Sequence, residues 1–252
     1  MLATDGFELS SPTEEDLDVA EAAWRDGRLL HEVSAGEPWW RVVRAKSPRQ
    51  ALEYAQICYA SDANNRFTPV YAGGAITPSA YAGDTPEIAL WEVVLRGIRH
   101  DGIRRVPQHE TRDRYLVETS AIRTLKVLSL RRPEIANLVV PGKRAPDLTA
   151  AWPAAYDMTR KWSLELYKRL PEIDGFIYES HQVSGNCVVL LQPEPKRVAV
   201  FTAVGDARAV GEEPIRALLQ GEARRVKAVI DFGDELDSPN AYIDRDGRGA
   251  VP

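Results

Sequence analysis

The sequence predicts one domain of the α+β (mixed α/β) class. Helix-type and strand-type patterns both occur, but they do not alternate strictly as they do in a doubly wound sheet. The chain has 252 residues, of which 44% are hydrophobic, so it is long enough to bury a substantial core. No internal repeat or low-complexity block divides it. These observations favour a single domain of the α+β or mixed α/β class.

The N-terminal part contains two predicted helices around one predicted strand. Residues 13–34 carry apolar side chains at helical spacing until "GEP" at 36–38 breaks the pattern. "WWRVVRA" (39–45) has the aromatic and β-branched content of a strand, and "SPRQALEYAQICYA" (47–60) begins with Ser-Pro, as helices often do. The link that follows, 61–83, is rich in Asn, Gly and Pro, which is typical of a functional or a disordered loop.

A helix with one unusual acidic residue is predicted after this link, within "YAGDTPEIALWEV" and beyond. "TPE" at 85–87 supplies a capping hydroxyl, a proline at the first helical position and an acid in the first turn. The helix is apolar on most sides, and Glu92 shares one narrow polar stripe with Arg96 and Arg99. Burying a carboxylate costs free energy unless hydrogen bonds or an opposite charge offset the loss of water. The presence of Glu92 in this apolar helix therefore needs an explanation.

The second half of the chain again mixes strands and helices. Element boundaries follow from the apolar periodicity and from the Pro and Gly residues between the elements. The expected elements are strands at 115–122 and 125–130, a helix at 153–170, strands at 175–180, 186–193 and 197–204, a helix at 213–221, a strand at 223–232 and a loose tail at 233–252.

Composition and charge exclude several functional classes. A net charge of −5 and a pI near 5.5 argue against direct nucleic-acid binding through a generally basic surface. Only two cysteines occur, Cys58 and Cys187, which fits a reducing compartment better than a disulfide framework. The N-terminal residues lack the apolar run of a signal peptide, and no segment reaches the ~18 apolar residues of a membrane span. We therefore expect a soluble, cytoplasmic protein without a membrane partner.

Motifs of common catalytic and metal sites are absent from the sequence. The four histidines are not paired at metal-ligand spacing, so no metal is expected. Neither a Walker loop nor a GxGxxG or GxSxG pattern occurs. Cys187 begins an apolar strand, which is typical of a small core residue rather than a nucleophile.

Four polar residues in apolar surroundings remain as candidates, and each has an ordinary structural explanation. Arg66 fits a solvated loop, and the Tyr81 ring fits a core position with a satisfied hydroxyl. Glu92 can pair with Arg96 four residues later, and Ser180 can simply end a strand. Composition and periodicity alone do not separate these explanations from a functional one.

The order of these residues resembles the RES domain family, which is named for its Arg, Glu and Ser. The resemblance runs from about Trp39 to Pro193. Its most specific blocks are the tyrosine strand that leads into an Ala-Leu-x-Glu helix and the aromatic–serine strand that is followed by an apolar strand. The matching segments are "WWRVV", "NRFTP", "AYAGDTPEIALWEVV" and "DGFIYESHQVSGNCVVLLQP".

The resemblance divides the chain and also shows departures from the family pattern. It implies an N-terminal helical extension at 1–38, a RES domain at 39–205 and a C-terminal helix/strand extension at 206–252 that completes the domain and ends in a loose tail. Asn65 stands where the family usually has glycine, and Thr68 stands where it commonly has asparagine. Neither departure removes a candidate catalytic side chain.

The resemblance also implies a fold and an activity. RES proteins are toxins of RES–Xre toxin–antitoxin systems and have an ADP-ribosyltransferase-like β-core flanked by helices. Their substrate is NAD⁺, whose nicotinamide–ribose bond they cleave by phosphorolysis or hydrolysis. That bond breaks through an oxocarbenium-like transition state, which a fixed carboxylate in a water-poor site stabilises.

Each candidate residue receives a role from the resemblance. Glu92 is expected to be the electrostatic catalyst, supported by Arg66 and by Ser180 as the group that orients it. Arg66 and Arg41 are expected to bind the pyrophosphate, and Tyr81 is expected to stack on the nicotinamide. Ser180 is also expected to contact the ribose.

Two other functions stay open from the sequence. One is an ADP-ribosyltransferase that modifies a specific cellular protein, and the other is a non-catalytic module that binds NAD⁺. The resemblance further implies a separate Xre-like antitoxin protein as a partner, because no helix-turn-helix pattern of that kind occurs in this chain.

Overall fold

An eight-stranded mixed sheet forms the centre of the computed structural model, which describes residues 10–59, 65–72, 74–96, 104–148, 156–192 and 199–233. The helices are α1 (Glu14–Arg25), α2 (Pro48–Gln56), α3 (Pro86–Leu90), α4 (Tyr156–Arg169) and α5 (Ile215–Arg225). A π-helical turn at Trp91–Leu95 and 3₁₀ turns at Gln108–Glu110 and Glu134–Leu138 add to them.

Twelve strands are described. They are β1 (Leu30–Val33), β2 (Pro38–Arg44), β3 (Tyr71–Ala72), β4 (Ala75–Ile76), β5 (Ser79–Gly83), β6 (Arg104–Val106), β7 (Arg114–Ala121), β8 (Leu125–Ser129), β9 (Gly175–Glu179), β10 (Asn186–Leu191), β11 (Phe201–Ala209) and β12 (Ala228–Ile230). The order in the main sheet is β1-β8-β9-β10-β5-β2-β7-β11. Its pairs are antiparallel except β8 with β9, so the sheet is mixed and the α+β class is confirmed.

Side chains on the two faces of the sheet belong to different hydrophobic clusters. α1 and α4 pack on one face together with β8, β9 and β10, and α3 and α5 cover β2 and β7 on that same face. α2 packs on the opposite face against β2 and β7. Because successive strand residues point to opposite sides, neighbouring residues of β2 and β5 face different environments.

The predicted helix over 13–34 is shorter in the structure. Thr13 caps α1 through a reciprocal capping box with Asp16, and the helix ends at Arg25. Gly27 adopts a φ of 78°, a left-handed conformation that ends helices. Leu30–Val33 instead form β1, which pairs with β8, so the helix predicted over residues 26–34 was wrong.

The segment that carries Glu92 begins as predicted and then changes geometry. The Thr85 hydroxyl accepts a hydrogen bond from the backbone N–H of Ile88 at 3.3 Å, and Pro86 occupies the first turn. After Leu90 the helix widens into the π-helical turn that contains Glu92. The prediction of a mostly apolar helix is confirmed by its buried residues, which are Ile88, Ala89, Leu90, Trp91, Val94 and Leu95.

Most other predicted elements are present with shifted ends. The predicted strands at 39–45, 115–122, 125–130, 175–180 and 186–193 correspond to β2, β7, β8, β9 and β10, and the predicted helices at 47–60 and 153–170 correspond to α2 and α4. In the C-terminal part, β11 and α5 extend beyond the predicted strand at 197–204 and helix at 213–221. Only Ala228–Ile230 of the predicted strand at 223–232 is extended, and it pairs in parallel with β6.

Some predictions concern residues outside the described ranges. These are the end of the predicted helix at 60, the part of the predicted link at 61–64 and 73, Arg99, the start of the helix at 153–155, the end of the strand at 193, the start of the strand at 197–198, and the tail from 234 onward. Within the described residues, no helix combines the length and the apolar character that crossing a membrane requires.

Candidate functional site

A cleft opens where β2 and β5 meet the helix that carries Glu92. Trp40 lies opposite Gly83 in the register of the two strands, and Tyr81 lies two residues earlier on the same face of β5. Tyr178 of β9 completes this aromatic wall. The residues that line the cleft are Trp40, Val42, Tyr81, Ala82, Gly83, Ala89, Glu92, Val93 and Tyr178.

Gly83 permits the close approach of β5 to α3 at this cleft. A Cβ atom at Gly83 would lie 2.8 Å from both the backbone nitrogen of Ala89 and Cγ2 of Ile88, which is a clash. The absent side chain therefore allows the helix that holds Glu92 to sit directly against the strand that holds Tyr81.

Glu92 and Ser180 are in direct contact. Glu92 is half-buried on the π-helical turn, and the Oγ of Ser180 donates a hydrogen bond to its Oε1 at 2.8 Å. The serine is itself fixed, because its N–H donates to the carbonyl of Gly185 at 2.9 Å and its Oγ accepts from the N–H of Gln182 at 3.3 Å. One carboxylate oxygen thus has a fixed position, and π-helical turns of this kind are frequent at functional sites.

The turn after Ser180 is tied to the start of α3. Asp84, just before the helix cap, accepts hydrogen bonds from the backbone nitrogen and the Nδ2 of Asn186 at 2.8 and 3.0 Å. The turn between β9 and β10 is thereby held against the element that carries Glu92. Sequence reasoning did not select Asp84, although an acidic residue directly before a helix cap is a signal for such a contact.

Arg66 lies beside Glu92 with unused hydrogen-bond donors. Its guanidinium is 5.5 Å from the centroid of the Tyr178 ring, a cation–π distance. The Nε and Nη1 atoms are buried and have no hydrogen-bond partner. Unsatisfied buried donors cost about 1–3 kcal/mol each, so these two atoms require an acceptor that the described residues do not supply.

The charge of Arg66 is favoured by its surroundings. Burial opposes the charged form, but Tyr178 and Glu92 outweigh this effect, so the pKa of Arg66 is raised. The guanidinium therefore stays positive beside the carboxylate. No ion pair between Glu92 and Arg96 occurs among the described residues; Arg96 donates instead to the Oδ1 of Asn65 at 2.6 Å.

Tyr81 places its phenol next to the loop that carries Arg66. The N–H of Phe67 donates to the phenol oxygen at 3.3 Å, and the hydroxyl of Thr68 shares a 3.1 Å hydrogen bond with it. Burial raises the pKa of Tyr81 to about 12, so the phenol is neutral at physiological pH. Thr68, one of the departures from the family pattern, therefore contributes directly to this site.

Arg41 does not belong to the cleft, and its expected role as an anion-binding residue is corrected by the structure. It points to the opposite face of the sheet from Trp40 and is only 2% exposed. Its Nη1 donates to the carbonyls of Tyr54, Ala55 and Ile57, and its Nε donates to the carbonyl of Tyr81. Its guanidinium also lies 5.7 Å from the ring centroid of Phe201. The side chain therefore organises backbone behind the site.

Two aromatic residues of the cleft were missed by sequence reasoning. Trp40 is the neighbour of Arg41 in β2 and faces the cleft, and Tyr178 lies two residues before Ser180 under the Arg66 guanidinium. Strand alternation separates the two faces of β2, but only the assembled sheet shows which face meets Glu92. No cluster of three or more His, Cys, Asp or Glu side chains suited to a metal ion occurs among the described residues.

The combined arrangement is a fixed carboxylate beside an available guanidinium and aromatic walls. The Glu92 carboxylate can stabilise a positive charge that develops on a bound ligand. Its hydrogen-bond donor, Ser180, is neutral and so leaves the negative charge of the carboxylate uncompensated. The guanidinium can donate hydrogen bonds to an anionic group from its two unpaired N–H donors. Such a site suits a ligand with an aromatic part and an anionic part.

Comparison with known proteins agrees with this fold. The RES domain family model matches residues 38–210. A solved structure that resembles this fold is the M. tuberculosis MbcT–MbcA toxin–antitoxin complex; the match covers 84% of this chain and 98% of the matched chain, at 14% sequence identity and a TM-score of 0.51. A comparison with curated proteins gave no match. The family model covers more than half of the sequence and includes Arg66, Tyr81, Glu92 and Ser180, and the chain belongs to the RES domain family.

Proposed function

We propose that this protein is a toxin that consumes NAD⁺ by cleaving the bond between nicotinamide and ribose. One observation carries the proposal: the Ser180 hydroxyl holds the Glu92 carboxylate at 2.8 Å, next to an Arg66 guanidinium with two buried donors that lack a partner. Membership of the RES domain family supports the same reading.

Glu92 supplies the chemical step in this proposal. As the bond to nicotinamide lengthens, positive charge develops on the ribose ring, and a carboxylate held nearby stabilises that charge. The effect is larger in a partly buried site than in water, because the local dielectric is lower and the carboxylate needs no reorientation. Ser180 keeps Glu92 in place and leaves its second oxygen for the sugar.

The remaining residues of the cleft bind the two ends of the dinucleotide. Arg66 suits the negatively charged diphosphate because its guanidinium presents parallel N–H donors. The nicotinamide ring is flat and cationic before cleavage, and the Tyr81 and Trp40 rings offer it stacking surfaces. The neutral nicotinamide leaves once the bond has broken, and this loss of charge weakens its hold on the rings.

The proposal is tested with purified protein, NAD⁺ and product analysis. Wild type is expected to release nicotinamide, and Glu92→Gln is expected to reduce turnover by about 10²–10³-fold, the usual contribution of a preorganised electrostatic group. Glu87→Gln, on the preceding turn of the same helical segment, is the matched control and is expected to keep wild-type turnover. Circular dichroism checks that all three proteins are folded.

The products separate the possible fates of the ADP-ribose. Free ADP-ribose indicates hydrolysis, a phosphorylated product whose rate of formation depends on added phosphate indicates phosphorolysis, and label on a protein indicates transfer. Binding of NAD⁺ without formation of any product would show that the protein is a non-catalytic module that binds NAD⁺. Turnover in Glu92→Gln above half of the wild-type value would reject the role of Glu92.

We also propose a separate antitoxin protein as the partner of this chain. The support is the solved toxin–antitoxin complex whose fold this chain resembles. Co-expression of this chain with its antitoxin is expected to abolish both NAD⁺ loss and growth arrest.

A further inference from the structure

Two arginines from different elements donate hydrogen bonds to Asn65, and a third arginine is its neighbour in the chain. Arg66 follows it directly in the chain. Arg96, at the end of the π-helical turn, donates through Nη1 to the Oδ1 of Asn65 at 2.6 Å. Arg160 of α4 donates through Nη1 to the backbone carbonyl of the same residue at 3.3 Å.

The position of Arg96 in the chain shows where the cluster lies relative to Glu92. Arg96 comes four residues after Glu92, which places it about one turn further along the helix on the same side. The loop that carries Arg66 reaches the Tyr81 phenol through the N–H of Phe67 at 3.3 Å, and the charges of Arg66 and Arg96 oppose the burial that raises the pKa of Tyr81. The cluster therefore lies between the π-helical turn that carries Glu92 and the loop that carries Arg66.

Positive charge exceeds negative charge in this cluster. Arg160 forms an ion pair with Asp157, but the Asp157 side chain is 86% exposed, and such pairs contribute little. Arg96 meets the neutral amide of Asn65 rather than a carboxylate. Glu92 is the other nearby acid, and it accepts the hydrogen bond from Ser180.

Asn65 links the loop that carries Arg66 to the side chains of Arg96 and Arg160. Its own N–H donates to the carbonyl of Thr68 at 2.9 Å, which fixes the loop that carries Arg66. Its side-chain carbonyl then accepts from Arg96. Glycine, the usual family residue here, has no side chain that could do this. Guanidinium groups that are held close together repel one another, and a bound anion with several oxygens relieves that repulsion.

We propose that Arg96 and Arg160, held on Asn65, extend the Arg66 site into an anion-binding arm that takes the diphosphate of the dinucleotide. The arm supplies the second contact with the diphosphate that was expected of Arg41. Naming the anion as a dinucleotide diphosphate rests on the proposed function. The arm itself rests on the contacts of the Arg96 and Arg160 guanidinium groups with Asn65 and on the unpaired Nε and Nη1 atoms of the adjacent Arg66.

Calorimetric titration with ADP and with adenosine tests the arm without any turnover. Wild type is expected to bind ADP at least tenfold more tightly than adenosine. Arg96→Gln and Arg160→Gln are each expected to lose about tenfold in ADP affinity, the usual effect of one charge-assisted hydrogen bond, with adenosine affinity unchanged. Asn65→Gly keeps all three charges and is expected to lose about threefold, because only the hold on Arg96 is removed.

Controls keep the test specific. Arg49→Gln removes an equally sized charge from α2, on the opposite face of the sheet, and is expected to bind ADP like wild type. The Arg160 side chain is only 16% exposed, so Arg160→Lys serves as a second variant that keeps the apolar stem and the charge but lacks the planar fork. It is expected to lose ADP affinity by an amount between wild type and Arg160→Gln.

Two results would overturn the arm: an Arg96→Gln/Arg160→Gln protein that binds ADP within twofold of wild type, or a wild type that binds adenosine as tightly as ADP. Failure of the proposed function looks different. A wild type that binds ADP through these arginines but leaves NAD⁺ intact would keep the arm and reject the reaction.

Discussion

Arg41 shows how a charged side chain can be fully used by the fold. Its guanidinium donates to carbonyls of α2, of Ile57 and of Tyr81, all from the face of the sheet opposite the cleft. Because the positive charge is buried, burial lowers the pKa of Arg41. The residue therefore acts on the site indirectly, by fixing the backbone of Tyr81 from behind.

A substitution separates this structural role from ligand binding. Arg41→Met keeps the apolar stem but leaves the carbonyls of Tyr54, Ala55 and Ile57 without their donor, so we expect a loss of about 3 kcal/mol or more in the free energy of unfolding. Urea denaturation measures it. Arg44→Met, an exposed position on the same strand, is the control and is expected to change the free energy by about 0.5 kcal/mol or less.

The opposite outcome for this residue is equally clear. If Arg41→Met unfolded at the wild-type urea concentration but bound ADP more weakly, Arg41 would be a ligand-binding residue and its structural role would be rejected.

At the level of elements, the π-helical turn is supported from outside the region that the family model matches. The indole Nε1 of Trp91 donates to the Oε2 of Glu222 on α5 at 2.8 Å. Glu222 is only 8% exposed and also accepts from Arg225. α5 follows residue 210, where the family match ends, so this buried contact links the C-terminal helix to the turn that carries Glu92.

Breaking this contact is expected to affect stability and activity together. Trp91→Phe removes the indole donor and leaves the buried carboxylate of Glu222 with less compensation, at an expected cost of about 1.5–3 kcal/mol in the free energy of unfolding. NAD⁺ turnover in the folded fraction is expected to fall as well, because Glu92 is the next residue. The Trp91→Phe/Glu222→Gln double mutant measures the coupling between the two side chains.

The control for this contact is Glu212→Gln, at an exposed position just before α5, which should leave stability and turnover unchanged. Additive effects of the two substitutions, without a coupling energy, would show that α5 does not support the turn through this bond.

Local signals predicted the start of this element, but its later geometry depends on the whole fold. Thr85, Pro86 and Glu87 specify a helix start through capping and backbone restriction, which act over a few residues. The change to a π-helical turn occurs where Trp91 reaches α5, more than 120 residues later in the sequence. The end of α1 was missed for a related reason: the residues after Gly27 pair with β8, and that pairing outweighs their apolar spacing.

At the scale of the whole molecule, some residues of the candidate site were predictable, but its aromatic walls and its geometry were not. The order of Arg66, Tyr81, Glu92 and Ser180 was recognisable from the family pattern, and the sheet brings all four to one face. The place of Arg41 on the other face was not predictable, because alternation shows that Trp40 and Arg41 diverge without showing which one meets the helix. The contacts of Asn65 with Arg96 and Arg160 required three distant segments to be assembled.

The whole molecule also extends beyond the segment that the family shares. α1 and β1 precede Pro38, where the family match begins, yet Leu17, Trp24 and Leu29 are buried in the same cluster as Phe176 and Tyr178. Polar contacts reinforce this packing. The Trp24 indole donates to Glu172, Lys143 pairs with Asp16, and Arg169 pairs with Glu14, Asp18 and Glu21.

The N-terminal segment should therefore be indispensable for folding. Each large apolar side chain of this N-terminal segment that becomes buried contributes about 1.5–3 kcal/mol, and the three named above match much of the 5–15 kcal/mol that stabilises a typical domain. A chain that lacks residues 1–37 is expected to be insoluble or unfolded by circular dichroism. Trp24→Ala is expected to lower the free energy of unfolding by about 3–5 kcal/mol, whereas Glu15→Ala, at an exposed position of α1, should change it by about 0.5 kcal/mol or less. A truncated chain that unfolds cooperatively at the wild-type urea concentration would show that the family segment folds alone and that α1 is only an appendage.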